Sequence, residues 1–459
     1  MSDVEMSGAP ALQISLFPAD FRWGVSTAAY QIEGAVDEGG RARSIWDTFS
    51  HTPGRTLNGD TGDLADDHYH RWESDLDLMV SLGIKHYRFS LAWPRLQPTG
   101  SGPLNSDGVE FYRALLMGMR SRGIAPLVTL YHWDLPQTLE DQGGWANRET
   151  AYRFADYAEK VLTELGYLAT DWITINEPWC VSFLGYGSGV HAPGKTDTRL
   201  AVAAAHHTNL AHGLALAGIR AINPALRVGN SNLVVDLIPA SDSIDDGAAL
   251  TRLDAMNNRI FLDPVYLGGY STAVHELFDE FGLAELIHDG DLALIGAPVD
   301  FVGLNHYQRI VVSADAAGGY LRLSEEPAQP ATTSFGWSVV PDSLRSVLAR
   351  LSQDFTTLPV YVTESGASYD DYAGPDGAVN DPERIEYFSG YIAAAGQAIS
   401  EGVNLKGYYA WSFLDNFEWA EGYSKRFGIV YVDYPTQKRT PKLSAHWYRQ
   451  LIADHAAAT

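Results

Sequence analysis

Cysteine is nearly absent from the chain; Cys180 is the only one. A single thiol excludes an intrachain disulfide and any zinc or iron–sulfur centre built on cysteine ligands. Basic residues are scarce as well. Against 57 Asp and Glu stand 32 Lys and Arg, which leaves a formal net charge of −25. A surface that negative repels phosphate backbones and anionic lipid, so neither nucleic acid nor membrane is expected as a partner. No apolar run is long enough to cross a bilayer. The opening stretch MSDVEMSGAPALQISLFPAD has no Lys or Arg and no long apolar segment, unlike a secretory signal. A soluble, cytoplasmic protein is the expectation. Linkers rich in Pro, Gly or Ser, internal repeats and low-complexity tracts are also missing, which argues for one domain despite 459 residues.

What is present suffices for a large core, since 46% of residues are hydrophobic and 19% charged. Eight short segments rich in β-branched and aromatic residues read as strands: 22–30, 84–91, 125–131, 171–177, 227–233, 301–307, 359–365 and 405–413. Between them, 109–122, 149–165 and 198–222 carry apolar residues at the helical period. Eight alternations predict a closed parallel barrel rather than an open sheet. The expected architecture is a single (β/α)8 TIM barrel with inserted loops over 17–450, between an N-terminal tail (1–16) and a C-terminal tail (451–459). The polar stretch 313–334 reads as a loop.

Barrel enzymes place their chemistry at the C-terminal ends of strands. Polar and aromatic residues crowd those ends: Gln31, Arg88, His132, Trp133, Asn176, Glu177, Asn305, Tyr307, Glu364 and Trp411. Closure would set Glu177 and Glu364 face to face across one mouth. Paired carboxyls with aromatic surfaces suit cleavage of a glycosidic bond, where one protonates the leaving oxygen and the other meets an oxocarbenium-like centre. The 12 Trp and 24 Tyr supply flat faces for sugar rings. Acidic strand ends also bind divalent metals in many barrels, so the pattern alone leaves both readings open.

Other motifs offer alternatives. GVHAPGKT at 189–196 fits the phosphate-loop pattern, with Lys195 on the phosphates and Asp236 near magnesium in a nucleotide-binding reading. A true phosphate loop springs from a buried strand, whereas the preceding VSFLGYGS is broken by glycines. His206, His207 and His212 lack the i, i+4 spacing that puts two ligands on one helix face. His68 and His70 read as loop residues with surface or structural roles, and Cys180 as a packed thiol without an adjacent base.

Several motifs together settle the choice. TINEP (174–178), VTESG (362–366) and WSFLDNFEWAEGYSKRFGIVYVDY (411–434) closely resemble glycoside hydrolase family 1, the β-glucosidase-like enzymes. So do FRWGVSTAAYQIEG (21–34), YRFSLAWPR (87–95), YHWDLPQ (131–137), GLNHY (303–307) and QKRTPK (437–442). The resemblance implies a retaining glycosidase that uses no metal or other cofactor, with Glu177 as general acid/base and Glu364 as nucleophile. A retaining pair stands about 5–5.5 Å apart. Arg88 and Tyr307 would support Glu364. Gln31, His132 and Trp419 match residues that grip the 3- and 4-hydroxyls, Asn176 the 2-hydroxyl, and Glu418 the 4- and 6-hydroxyls. Trp411 matches the platform under the ring, and Trp179 and Trp337 the leaving-group side. Trp133, Asn305 and Phe427 complete the substrate-binding set. A carboxylate at Glu418 would repel a 6-phosphate, so neutral small-molecule β-glucosides or cello-oligosaccharides are implied, with galactosyl and fucosyl residues as alternatives. The chain departs from the family pattern at Ser365, where Asn is usual after the nucleophile, and at His306, where an aromatic is usual. A sugar-binding protein without catalysis is not supported, because both glutamates are present.

Overall fold

The computed structural model describes residues 12–329 and 333–459. Eight strands close into a barrel: β1 (Arg22–Ser26), β2 (His86–Ser90), β3 (Ala125–Tyr131), β4 (Asp171–Asn176), β5 (Arg227–Leu233), β6 (Phe301–Asn305), β7 (Val360–Ser365) and β8 (Leu405–Trp411). Each pairs in parallel with its sequence neighbours, and β8 returns to β1. Every predicted strand segment holds one of them. The first stops early, at Ser26, because Ala29–Ile32 coils into a short helix that carries Gln31.

Strands buried on both faces explain the near-continuous apolar segments in the sequence. Leu127, Ile173, Phe301, Tyr361 and Tyr409 fill the barrel as a separate inner plug. Outside the barrel, Ser106–Ser121, Glu149–Leu165 and Thr198–Ile222 pack their periodic faces as helices. In the first of these, Phe111, Tyr112, Leu115, Leu116 and Met119 are buried.

The segment expected as a loop at 313–334 is partly strand. Arg309–Ala314 pairs in parallel with Asp236–Pro239 and antiparallel with Leu323–Pro327. Of these pairing residues only Val312 and Leu323 are buried, so the apolar alternation that marks a strand is missing there. The C-terminal tail is also corrected. Leu443–Ala458 is one helix, and residues 451–459 are its packed end: Leu451 is buried and His455 lies edge-on to Trp23 at 5.8 Å. His68 opens the helix His68–Ser81 instead of sitting in a loop, buried against Asp75 at 2.8 Å. Of the expected N-terminal tail, residues 1–11 lie outside the described residues. Among the described residues no helix is long and apolar enough to cross a membrane, and no group of three or more His, Cys, Asp or Glu is arranged for a metal.

The loop after β8 carries Glu418, Trp419 and Phe427, and buried charge fixes its course. Asp415 accepts from the Lys442 ammonium at 2.6 Å, the Arg426 guanidinium at 2.7 Å and the Gly428 amide at 3.0 Å. Lys442 also donates to Asp371 at 2.5 Å, and both carboxylates are almost fully buried. Removing one partner of such a cluster leaves uncompensated charge in the interior. Lys442→Met should therefore lower stability by about 3 kcal/mol, read as a lower urea midpoint against wild type.

Candidate active site

The strand ends that face the mouth are irregular. Pairing between β4 and β5 shifts between Ile173 and Asn176, and pairing between β7 and β6 shifts between Val362 and Glu364. A bulge re-aims the side chains beside it. Glu177, Trp133 and Trp419 adopt left-handed backbone (φ 44°, 77° and 51°), a conformation that costs non-glycine residues on the order of 1 kcal/mol or more and collects at functional sites.

Below the mouth lies a polar layer with one guanidinium at its centre. Fully buried Arg88 donates to the Glu364 carboxylate at 2.5 Å, the Asn176 side-chain oxygen at 2.6 Å, the Thr363 carbonyl at 3.1 Å and the Thr129 hydroxyl at 3.3 Å. The Tyr307 hydroxyl donates to the other Glu364 oxygen at 2.6 Å. Asn305 donates to Glu177 Oε1 at 2.8 Å and to Asn176 at 3.0 Å, while its own oxygen accepts from Ser231 and Thr363. Both Asn305 termini are therefore engaged within the protein, which makes it a seat for Glu177. Cys180 Sγ lies 3.4 Å from Glu177 Oε2 and donates to it. Only the three-residue spacing of Glu177 and Cys180 hints at that contact in the sequence.

Glu177 and Glu364 open into one cavity of about 400 Å³, lined also by His132, Trp133, Trp179, Tyr307, Trp337, Trp411, Glu418, Trp419 and Phe427. The two carboxyls differ in surroundings. Glu177 has no cation in contact; burial first, then the Glu364 charge, push its carboxyl up to about 8 despite the Asn305 and Cys180 donors. Burial and Glu364 likewise push Glu418 up to about 8, opposed by the Gln31 amide at 3.3 Å. Burial and the Arg88 charge hold His132 well below the usual imidazole range.

Some buried polar atoms have no partner among the described residues: Gln31 Oε1, His132 Nδ1, Trp179 Nε1 and His191 Nδ1. Such atoms cost free energy until a ligand meets them. The His132 tautomer follows from its neighbours. Arg88 and Asn305 fix the Asn176 oxygen, so its amide nitrogen faces His132 Nε2 at 3.1 Å. Nε2 then accepts and Nδ1 carries the proton, a donor left over for a hydroxyl. Trp133 Nε1 is spent on the Asn176 carbonyl at 3.1 Å, so that indole supports the wall through its ring face.

The glycosyl hydrolase family 1 sequence model matches residues 13–457. The chain belongs to this family. It is 44% identical over 448 residues to beta-glucosidase A of Thermotoga maritima, covering 97% of this chain and 99% of that one. It is 46% identical over 465 residues to a bifunctional beta-D-glucosidase/beta-D-fucosidase of Bifidobacterium breve, covering 96% and 99%. The solved family 1 β-glucosidase of Thermotoga maritima superposes with a TM-score of 0.93 over 96% of this chain and 98% of that one, at 44% identity.

Within the family 1 site, residues the sequence did not single out are His191, Leu184, Phe335, Asn257, Gln308 and Glu325, all lining the cavity. His191, inside the phosphate-loop pattern, stands 5.3 Å from Trp46 and from Trp133, centroid to centroid. That pattern holds no phosphate cradle. Asp197 already accepts from the Arg199 and Leu200 amides at the start of the next helix, and Asp236 is paired with Arg309 at 2.5 Å. Ser365 turns away from the cavity and shares a hydrogen bond with the Tyr387 hydroxyl at 3.1 Å. His306 is likewise buried outside the cavity, between the Val234 carbonyl and the Ser343 hydroxyl. His206, His207 and His212 are core histidines, bonded to Tyr270 and Asp291, the Trp145 carbonyl and Thr174 respectively, with His212 Nε2 left without a partner among the described residues.

The raised Glu177 has a consequence for stability. Below its ordinary 4.5 the carboxyl is protonated in folded and unfolded chain alike; between there and about 8 only the folded chain keeps the proton, so stability falls as pH rises through that window. Glu177→Gln removes the titration. Its unfolding free energy should gain on wild type across the window, by on the order of 2 kcal/mol at the upper end, read as a rising unfolding temperature by calorimetry at stepped pH.

Proposed function

We propose that the protein is a retaining β-glucosidase in which Glu364 is the nucleophile and Glu177 the general acid/base. The observation that carries the assignment is the asymmetry of the pair. Glu364 is charge-paired with Arg88 and bonded to Tyr307, while Glu177 lacks a cation and is pushed up to about 8. The anionic partner suits attack at the anomeric carbon, and the protonated one suits delivery of a proton to the leaving oxygen.

In the first step a Glu364 oxygen bonds to the anomeric carbon as the glycosidic C–O bond breaks, and the Glu177 proton passes to the departing oxygen. Esterification removes the Glu364 charge and with it the repulsion that adds to burial in raising Glu177. Glu177 then accepts a proton from water, whose oxygen attacks the anomeric carbon and releases Glu364. Two inversions return the original configuration. Gln31, His132, Glu418 and Trp419 bind the sugar hydroxyls, and Trp411, 4% exposed beside Phe427, forms the platform. Asn176 meets the 2-hydroxyl, where a hydrogen bond counts most in the transition state. Trp179 and Trp337 flank the leaving group.

The substrates are neutral small-molecule β-glucosides and short cello-oligosaccharides, placing the enzyme in cellulose breakdown. The Bifidobacterium breve relative, a glucosidase/fucosidase by name, supports including β-D-fucosides. The only cysteine is a buried free thiol, and a protein that does without disulfides fits hydrolysis of imported substrates in the cytoplasm.

Proton NMR of p-nitrophenyl β-D-glucoside hydrolysis should show β-glucose as the first-formed anomer; α-glucose would overturn the retaining assignment. Glu364→Gly should lose about a thousandfold or more of turnover and regain part of it with azide, giving α-glucosyl azide. Glu177→Ala with azide should give the β-azide, and the opposite pairing would reverse the two roles. For wild type, kcat/KM should decline as pH rises through about 8, where free Glu177 loses its proton.

A further inference from the structure

Beyond the sugar-binding floor, the cavity has an outer half of distinct composition. On one side Phe335 and Trp337 lie with ring centroids 4.3 Å apart, next to Phe427. Trp179, Leu184, Val190 and Ile310 line the cavity with further apolar surface, and Asn257 and Gln308 add amides. Glu325 also borders this space. It stands on the strand Leu323–Pro327, the outermost strand of the inserted sheet and the segment whose sequence reads as loop.

The charges around this space are one-sided. Glu364, Glu421 and Glu325 border it beside Glu177 and Glu418, whose protons burial and the Glu364 charge retain, while His132 and His191 are both held neutral by burial. Arg88 lies beneath the floor and is bonded to Glu364. At the rim, Lys425 donates to the Ser334 carbonyl at 2.7 Å and stands 4.0 Å from Glu421. Among the described residues no Lys, Arg or His pairs with Glu325, and partial burial raises its carboxyl above the ordinary value.

We propose that Glu325 sorts leaving groups by charge, so that the outer half of the cavity takes a flat, apolar or aromatic aglycone that is neutral or bears an amine, and turns away one that bears a carboxylate. The proposal rests on the glycosidase reading of the cavity. An ammonium on the aglycone would meet an unpaired carboxylate. A carboxylate there would add a further negative charge to a space whose nearby ammonium, Lys425 at 5.8 Å over the Phe335 ring, is shared with the Ser334 carbonyl and Glu421. Because Glu325 keeps contact with solvent, the effect is screened and modest.

The test compares kcat/KM for 4-(aminomethyl)phenyl and 4-carboxyphenyl β-D-glucosides in wild type, Glu325→Gln and Glu325→Lys. The phenols differ in leaving ability, but that difference is common to all three enzymes and cancels when the amine-to-carboxylate ratio is compared between them. The ratio should fall on the order of fivefold in Glu325→Gln, and further in Glu325→Lys. Both shifts should shrink at high ionic strength. A ratio unchanged by either substitution overturns the assignment of Glu325. Failure of wild type to cleave phenyl β-D-glucoside at all would overturn the glycosidase reading and this inference with it, so the two failures are distinguishable.

Discussion

One buried guanidinium organises the mouth of this barrel. Arg88 is fully enclosed, and an unpaired cation there would cost several kcal/mol. Its donors reach β3, β4 and β7 from β2, so the position of Glu364 and the orientation of Asn176 follow from a single charge that has to be satisfied. The consequences run outward by hydrogen-bond geometry alone. Asn176 turns its amide nitrogen to His132, which fixes the imidazole tautomer and leaves Nδ1–H for a ligand. Asn305, anchored by Ser231 and Thr363, completes the layer and seats Glu177. Every link is buried, so the layer is held in place before any sugar arrives, which is the preorganisation that electrostatic catalysis requires.

The same arrangement makes two identical side chains behave differently. Desolvation acts on both glutamates, yet only Glu364 receives the guanidinium. Glu177 receives an amide and a thiol, weaker donors that leave burial and the neighbouring charge in command. A carboxyl in this position changes affinity for its proton when its neighbour changes charge, and a double displacement makes that demand of it. Cys180 suits the change. A thiol donates weakly to an anion and tolerates a neutral carboxyl, so it does not lock either state.

Much of this was legible in the amino-acid sequence, for physical reasons. Strands buried on both faces leave dense apolar runs, and all eight barrel strands could be read from them. The helices Glu149–Leu165 and Thr198–Ile222 were readable to the residue because their faces are periodic and, in the second, Asp197 caps the start. The hairpin around Arg309–Ala314 was not readable, since most of its side chains are only partly covered and strand pairing, rather than burial, holds it. The end of the last helix was missed because after Leu451 only His455 is buried, so no apolar face marks it. At the site, motif spacing located the carboxyls, the sugar-facing aromatics and Arg88. It could not show that Asn305 and the Trp133 indole nitrogen are consumed within the protein, or that Ser365 points to Tyr387, because those facts depend on which side chains the closed barrel brings together.

Glu177, Glu364 and Glu418, with the Arg88 guanidinium beneath them, also limit what the cavity can hold. Glu418 is anchored by Gln31 and raised by the field of Glu364, and among the described residues no cation pairs with it. A neutral sugar answers this environment well, since its hydroxyls donate to a carboxylate and accept from Nδ1–H of His132 at no cost in charge. A phosphorylated sugar does not. Its phosphate would add negative charge beside groups that burial already makes reluctant to ionise, and the Arg88 guanidinium beneath the two glutamates is committed to Glu364. The proposed preference for an uncharged ring thus follows from the same accounting as the proposed division of roles: among the described residues the cation beneath the two glutamates is Arg88, and Glu364 uses it.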